Sequence, residues 1–295
     1  MSRFLVTIGT FDGVHRGHQA LARWVISRAR ALGLKTRVVL FREPPRYYFK
    51  PSERLPLLST AEERARRLKA LGIDSVEILS FGSRWAKMPH ERFFKEWILR
   101  RWKAGGLWVG RDFAFGKGRK GDLGYLQRAC AESGVKLGVL PLLAAEGQKI
   151  SSSRIRELLQ NGKVADAGRL LGRPYSLFGK VVRGKGIGQG LGFPTANVDY
   201  PRELAAPLGV FRVRASGAGL GAVDAVANVG TRPTVDGSGR VLLEVHIPGW
   251  SGNLYGKILH VDFLERIRGE RKFPSLDALK RQIGRDVGAL SPVRK

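Results

Sequence analysis

The chain has 295 residues, 43% of them hydrophobic, and carries a formal charge of +27 because 52 Lys and Arg face only 25 Asp and Glu. This length gives room for two domains with separate cores; no apolar run approaches the ~20 residues of a membrane span, and Met1 to Thr10 lacks signal-peptide features, so a cytoplasmic protein without a membrane partner is expected. The charge calls for anionic partners, polynucleotide or small polyphosphate, and because the cations are spread over both halves without a Lys/Arg tail it reads as a general preference for phosphate.

In chain order, Phe4 to Ile8 is apolar and partly β-branched, the pattern of a buried strand. Leu21, Trp24, Val25 and Leu32 then recur at helical spacing and predict a helix over about 17–32. Between the two lies Gly9-Thr-Phe11-Asp-Gly-Val-His15-Arg-Gly17-His18, which sets two histidines i, i+3 at a strand-to-helix junction. First-turn N–H groups and the helix dipole favour an anion there, imidazole adds donors, and Gly13 and Gly17 leave room for backbone or ligand. Asp12 reads either as a ligand-side group or as a structural acceptor of backbone N–H bonds in the turn. Further strands are expected at 36–41, 76–81, 107–110 and 136–141, with helices over about 91–103 and 123–133. Another helix starts at Thr60, where Thr60-Ala-Glu-Glu63 forms a capping box. The alternation implies an α/β, doubly wound parallel sheet whose ligands sit beyond the carboxyl ends of its strands. Cys130, the only cysteine, reads as inert packing, and with histidines at 15, 18, 90, 246 and 260 no zinc-like set is expected.

A second polar motif, Lys149-Ile-Ser151-Ser152-Ser153-Arg154-Ile-Arg156, brings hydroxyls to the start of a short helix over 153–159 and an arginine one turn on. That set suits phosphate oxygens, although a serine run is also an ordinary N-cap. Near Gly172 the texture changes to short alternating runs at 178–182, 210–214 and 242–247, which predict an antiparallel β-barrel and divide the chain into domains 1–172 and 173–295. The glycine-rich stretch Gly184 to Gly192 reads as a phosphate-wrapping flap or a plain hairpin. Glu244, between Leu243 and Val245, is an odd strand residue unless one face of that strand is polar. A final helix follows Pro274, with Leu276, Leu279, Ile283 and Val287 on one face.

Taken together, His15-Arg-Gly17-His18 and Ile150-Ser-Ser-Ser153 followed by Arg156 resemble the nucleotidyltransferase superfamily, which is related to class I aminoacyl-tRNA synthetases. The segment Val109 to Asp122 is similar to a signature of one branch, the prokaryotic FAD synthetases. The second half resembles the riboflavin kinase fused to them, across Leu171 to Tyr175, Gly192 to Asn197, Ala227 to Thr234, Glu244 to His246, Leu254 to Gly256 and Arg268 to Phe273. The resemblance implies that the C-terminal domain makes FMN from riboflavin and ATP, and that the N-terminal domain joins AMP from ATP to FMN, giving FAD and pyrophosphate. It implies that His15 and His18 act on the ATP phosphates, that Gly9, Phe11, Gly17, Ser152, Ser153 and Arg156 bind nucleotide, and that Asp112 lies near the flavin. Where Ser153 stands the family often has threonine, so the hydroxyl is kept. For the kinase it implies nucleotide binding by Gly190, Gly192, Pro194, Thr195 and Asn197, with Mg2+ held by Thr195 and Asn197. Glu244 is then the base, and Arg268 meets flavin or phosphate. Two other readings stay open: a riboflavin kinase with an inactive N-terminal domain, and a basic nucleic-acid-binding protein on this scaffold. Because the aromatic residues are not interleaved with the cations in an RNA motif, no specific nucleic-acid partner is expected.

Overall fold

The computed structural model describes residues 3–140, 150–184, 187–232 and 240–290, so Lys149, Lys185, Gly186, Pro233 and Thr234 of the motifs above lie outside the described residues. The chain separates into two compact units, Met1–Ser152 and Ser153–Lys295. The division falls at the start of a helix, Ser152–Gln160, that begins with the serine motif.

In the first unit, strands β1 (Phe4–Gly9), β2 (Lys35–Phe41), β3 (Ser75–Leu79), β4 (Ala104–Val109) and β5 (Lys136–Val139) form one parallel sheet in the order β3-β2-β1-β4-β5. The polarity of the sequence reverses between β1 and β4, which makes that gap the switch point where such sheets bind ligands. Apolar runs account for the central strands, since Leu5 and Val6 of β1 and all of β4 are buried. β4 starts three residues earlier than expected because Gly105 and Gly106 carry no strand signal. Their glycines are nonetheless required: a Cβ at Gly106 would stand 2.5 Å from the Trp108 ring. Helix α1 (Arg16–Ala31) follows β1, and α2 (Ala61–Ala70) is capped by the Thr60 hydroxyl accepting the Glu63 N–H. The helix expected over 91–103 is instead a single α turn, α3 (His90–Phe93), running into a π-helical stretch over Phe94–Arg101. Helix α4 (Leu123–Ser133) completes the unit and buries Cys130.

The second unit opens with α5 (Ser152–Gln160) and α6 (Val164–Leu171), the latter packed on the barrel strands that follow. Those strands are β6 (Tyr175–Val182), β7 (Thr195–Asp199), β8 (Gly209–Gly217), β9 (Leu220–Arg232), β10 (Arg240–His246) and β11 (Ile258–Arg268). They close into an antiparallel barrel in the order β10-β7-β6-β11-β8-β9. Alternate residues, among them Leu177, Phe211, Val213, Ala227, Leu243, Val245 and Phe263, are buried and form its core. Helix α7 (Leu276–Gly288) is capped by Ser275 and follows the barrel.

Candidate functional sites

At the end of β1 the chain reverses through three left-handed residues, Phe11 (φ 53°), Gly13 (φ 80°) and Val14 (φ 42°). A β-branched residue there costs on the order of 1–2 kcal/mol, and such strain persists only where surrounding groups hold it. The holding groups are explicit. Asp12 is buried, and its Oδ1 accepts the N–H groups of Leu58 at 2.9 Å and Ser59 at 3.3 Å. The Ser59 hydroxyl accepts the Gly13 N–H at 3.0 Å, and the Ser152 hydroxyl donates to the Asp12 carbonyl at 3.0 Å. Asp12 is thus a structural acceptor for the distant segment that holds Leu58 and Ser59.

Arg64 lies beneath this loop and is completely buried. Its guanidinium donates to the carbonyls of Thr10 (2.5 Å), Phe41 (2.9 Å), Arg42 (2.5 Å) and Thr60 (3.2 Å), so it ties the carboxyl ends of β1 and β2 together. No motif marks Arg64 in the sequence. The signal available was its place on the apolar face of α2, beside Ala61 and Leu68.

His15 is the N-cap of α1: its Nδ1 accepts the His18 N–H at 3.3 Å, which puts the proton of the neutral ring on Nε2. The His18 ring stacks on that of His15, with centroids 3.7 Å apart and planes 17° from parallel, and leans against Phe11 at 5.3 Å. Burial first, then the neighbouring His15 and Arg64, hold the His18 pKa well below 6.5, so the ring is neutral at pH 7. Its Nδ1 is shielded and has no hydrogen-bond partner among the described residues. The space at Gly17 is taken by imidazole, since a Cβ there would stand 3.2 Å from the His15 ring; at Gly9 a Cβ would meet the Phe11 ring at 3.0 Å.

Asp112 follows β4 with an exposed side chain, across the switch point from the histidines, and Arg119 donates to its carbonyl oxygen at 3.0 Å. An aromatic cluster not anticipated from sequence stands in the segments after β2 and β3. Tyr48, Phe49 and Phe81 have ring centroids 5.2 to 5.7 Å apart, and Phe49 is 62% exposed. Of the serine motif, Ser152 belongs to this unit, whereas exposed Ser153 and buried Arg156 fall in the second unit on α5.

In the barrel, Glu244 pairs in register with Asn197 of β7 and Asn228 of β9; Asn228 pairs with Val210, and Val210 with Arg268. Directly paired residues project from the same face, so these five form a row across consecutive strands, opposite to the face that fills the barrel. That resolves the oddity of Glu244: Leu243 and Val245 point into the core and it does not. All five line one cavity of about 380 Å³, together with Phe193, Phe273, Leu279 and Ile283. A second cavity of about 320 Å³ is lined by Trp250, Leu254 and Tyr255, and the two share Gln189, Pro194, Thr195 and Tyr255. Gly190 ends the single helical turn Ile187–Gly190, and Gly192 follows at φ 86°. The Pro194 carbonyl is bonded to His246 Nδ1 at 2.9 Å. Arg268 lines the larger cavity but is bound in bidentate fashion by buried Asp286 of α7, Nε donating to Oδ1 at 3.1 Å and Nη2 to Oδ2 at 2.8 Å. Among the described residues no group of three or more His, Cys, Asp or Glu could hold a metal.

Comparison with known proteins adds an independent line. A family model described as FAD synthetase matches residues 1–154, and one described as riboflavin kinase matches 171–292. The bifunctional riboflavin kinase/FMN adenylyltransferase of Escherichia coli K12 is 39% identical over 282 residues, spanning 96% of this chain and 90% of that protein. Its counterpart in Haemophilus influenzae is 37% identical, spanning 96% and 91%. A crystal structure from Streptococcus pneumoniae, described as a macrolide-efflux protein, superposes with a TM-score of 0.83 at 32% identity over 98% of this chain and 93% of that one.

Proposed function

The chain belongs to the bifunctional riboflavin kinase/FMN adenylyltransferase family, and on that premise we propose which residues carry each of its two reactions. Residues 1–172 transfer AMP to FMN and residues 173–295 phosphorylate riboflavin. Efflux, the description of the pneumococcal relative, is not carried over: no helix among the described residues is long and apolar enough to cross a membrane.

In the adenylyl transfer, a phosphate oxygen of FMN attacks the α-phosphorus of ATP, the new P–O bond forms, and pyrophosphate leaves. The protein's work is positioning and charge relief. His15 and His18 donate to the phosphate oxygens from the first turn of α1, where the helix dipole favours an anion. Gly9, Phe11 and Gly17 shape the loop, Ser152 adds its hydroxyl, and Asp112 with the Tyr48, Phe49 and Phe81 cluster borders the flavin.

In the kinase reaction, Glu244 accepts the proton of the terminal ribityl hydroxyl as its oxygen attacks the γ-phosphorus and ADP leaves. The larger cavity, with Glu244 beside apolar Phe273, Leu279 and Ile283, suits riboflavin; the smaller, which shares Pro194 and Thr195 with it, suits ATP, with Gly190 and Gly192 contributing from the turn just before Pro194. Thr195 and Asn197 offer hard neutral oxygens, and Asn197 is seated where a Cβ at Gly184 would overlap it, a set that fits Mg2+ shared with nucleotide phosphates. When bound, Mg2+ neutralises phosphate charge. The observation that carries this assignment is the register row placing Glu244 between Asn197 and Asn228.

The test is a time course of riboflavin, FMN and FAD with purified protein, ATP and Mg2+. His18→Ala is expected to accumulate FMN without FAD. Glu244→Gln is expected to lose FMN formation while still converting supplied FMN to FAD. Loss of both reactions in either variant overturns the assignment, and FMN without FAD from the unaltered chain means an inactive N-terminal domain.

A further inference from the structure

We propose that Asp286 and Gln282, on the C-terminal helix α7, are positioning residues for riboflavin phosphorylation: through Arg268 and Arg271 they set the cavity wall against which riboflavin rests. This deepens the kinase-site reading and rests on it.

Both side chains are buried although α7 is otherwise well exposed, with Asp286 3% and Gln282 8% accessible. The Asp286 carboxylate accepts Nε and Nη2 of Arg268, and its Oδ1 also accepts Gln282 Nε2 at 2.7 Å. Gln282 Oε1 in turn accepts from Arg271 Nη2. Arg268 Nη1 donates to the Gly269 carbonyl at 3.0 Å. The four side chains are therefore one continuous chain of charge-assisted hydrogen bonds, which fixes two guanidinium groups that would otherwise be free to rotate.

What those guanidiniums touch gives the chain its purpose. Arg268 and Arg271 both lie over the Phe273 ring, at 5.6 and 4.9 Å from its centroid. Arg268, Arg271, Phe273 and Asp286 all line the larger cavity, and Arg268 ends the row that contains Glu244. An ion pair serving only to clamp the helix would not need a second arginine converging on the same aromatic ring. Nor would it need to open onto the cavity. The guanidinium of Arg268 has five N–H groups, of which Asp286 and Gly269 occupy those on Nε and one each on Nη1 and Nη2, leaving donors for a ligand.

The smaller cavity is lined by none of these residues. A disturbance of the chain must therefore move the affinity for one substrate and spare the other, which general loosening of the fold does not do.

The experiment measures KM for riboflavin, KM for ATP and kcat of FMN formation in the full chain, with conversion of supplied FMN to FAD as the internal control. Asp286→Asn keeps the shape and removes the charge; it is expected to raise the riboflavin KM at least tenfold, about 1.4 kcal/mol, with the ATP KM within twofold. Gln282→Leu, which leaves the ion pair in place, should raise the riboflavin KM severalfold. The double variant should be no worse than Asp286→Asn by more than twofold, because both act through one network. A riboflavin KM that stays at the unaltered value in both single variants, or rises in step with the ATP KM, overturns the proposal. Should Asp286→Asn fail to fold, the Gln282→Leu result decides. Glu244→Gln separates the two levels: if it still makes FMN, the kinase-site reading itself fails, whatever Asp286 does.

Discussion

Replacing Arg64 with methionine tests whether the phosphate loop is held from below. Thr60 keeps a partner, because its carbonyl also accepts the Arg64 backbone N–H at 3.0 Å. The carbonyls of Thr10, Phe41 and Arg42 each lose the guanidinium. A buried acceptor left without its donor costs about 1–3 kcal/mol, so three would give about 3–9 kcal/mol; the low end, about 3 kcal/mol, applies because Thr10 and Phe41 are only half-buried, Arg42 is exposed to water, and a buried cation is also removed. For a unit of this size, about 3 kcal/mol corresponds to a fall in melting temperature of about 10 °C. The loss falls on the strained segment, where Phe11 and Val14 lose one of the anchors that hold them left-handed once Thr10 is released. Arg64→Met is therefore expected to abolish FAD formation from FMN at temperatures where the protein is still folded by circular dichroism, with FMN formation from riboflavin within twofold of normal. Arg64→Lys, which keeps the charge but offers a point donor in place of a fork, should fall between. If the melting temperature drops while FAD formation persists, Arg64 serves stability alone; if neither changes, the accounting is wrong.

Two further outcomes follow from titrating groups. Burial keeps His18 neutral, so its folded pKa lies below the unfolded value near ~6.5 and the unfolded chain binds more protons in that window. Stability is then full above that pH and falls as the pH drops through it, and urea unfolding at pH 7.5 and 5.5 should show a smaller loss in His18→Phe than in the unaltered chain; equal losses would refute it. Burial pushes the Cys130 thiol up to about 11, so iodoacetamide at pH 8 should leave it unmodified in the folded protein and alkylate it in denaturant. Fast labelling of the folded protein would show that α4 opens readily.

Much of the first unit is legible in its sequence because a parallel sheet covered by helices writes continuous apolar strands and amphipathic helices into local stretches of chain. Where that local code is interrupted, the reading slips. Gly105 and Gly106 hide the start of β4 because packing, not strand propensity, requires them: a Cβ at Gly105 would stand 2.8 Å from Leu34 and one at Gly106 2.5 Å from Trp108. The helix over 91–103 has the apolar content of a regular helix, and no local feature of it marks the switch to π-helical bonding at Phe94, although Ile98 and Trp102 are core residues as that content implies.

The sites show the same limit more sharply. Histidines, serines and glycines in compact motifs can be found by spacing, whereas what makes them a site is contact between segments far apart in sequence. Asp12 is held by Leu58 and Ser59, Thr10 by Arg64, and Glu244 stands between Asn197 and Asn228 only through strand register. Asn228 and Asp286 are inconspicuous in the sequence for that reason, since an asparagine in a strand and an aspartate in a terminal helix have no local signature of purpose. Register also sets which side of the barrel Glu244, the base proposed above, faces. With a period of two, moving β10 by one residue would turn Glu244 into the core and bring Leu243 or Val245 to the cavity. The apolar alternation that packs the barrel is thus the same feature that turns the Glu244 carboxylate to the larger cavity, so the proposed kinase site and the hydrophobic core are specified together.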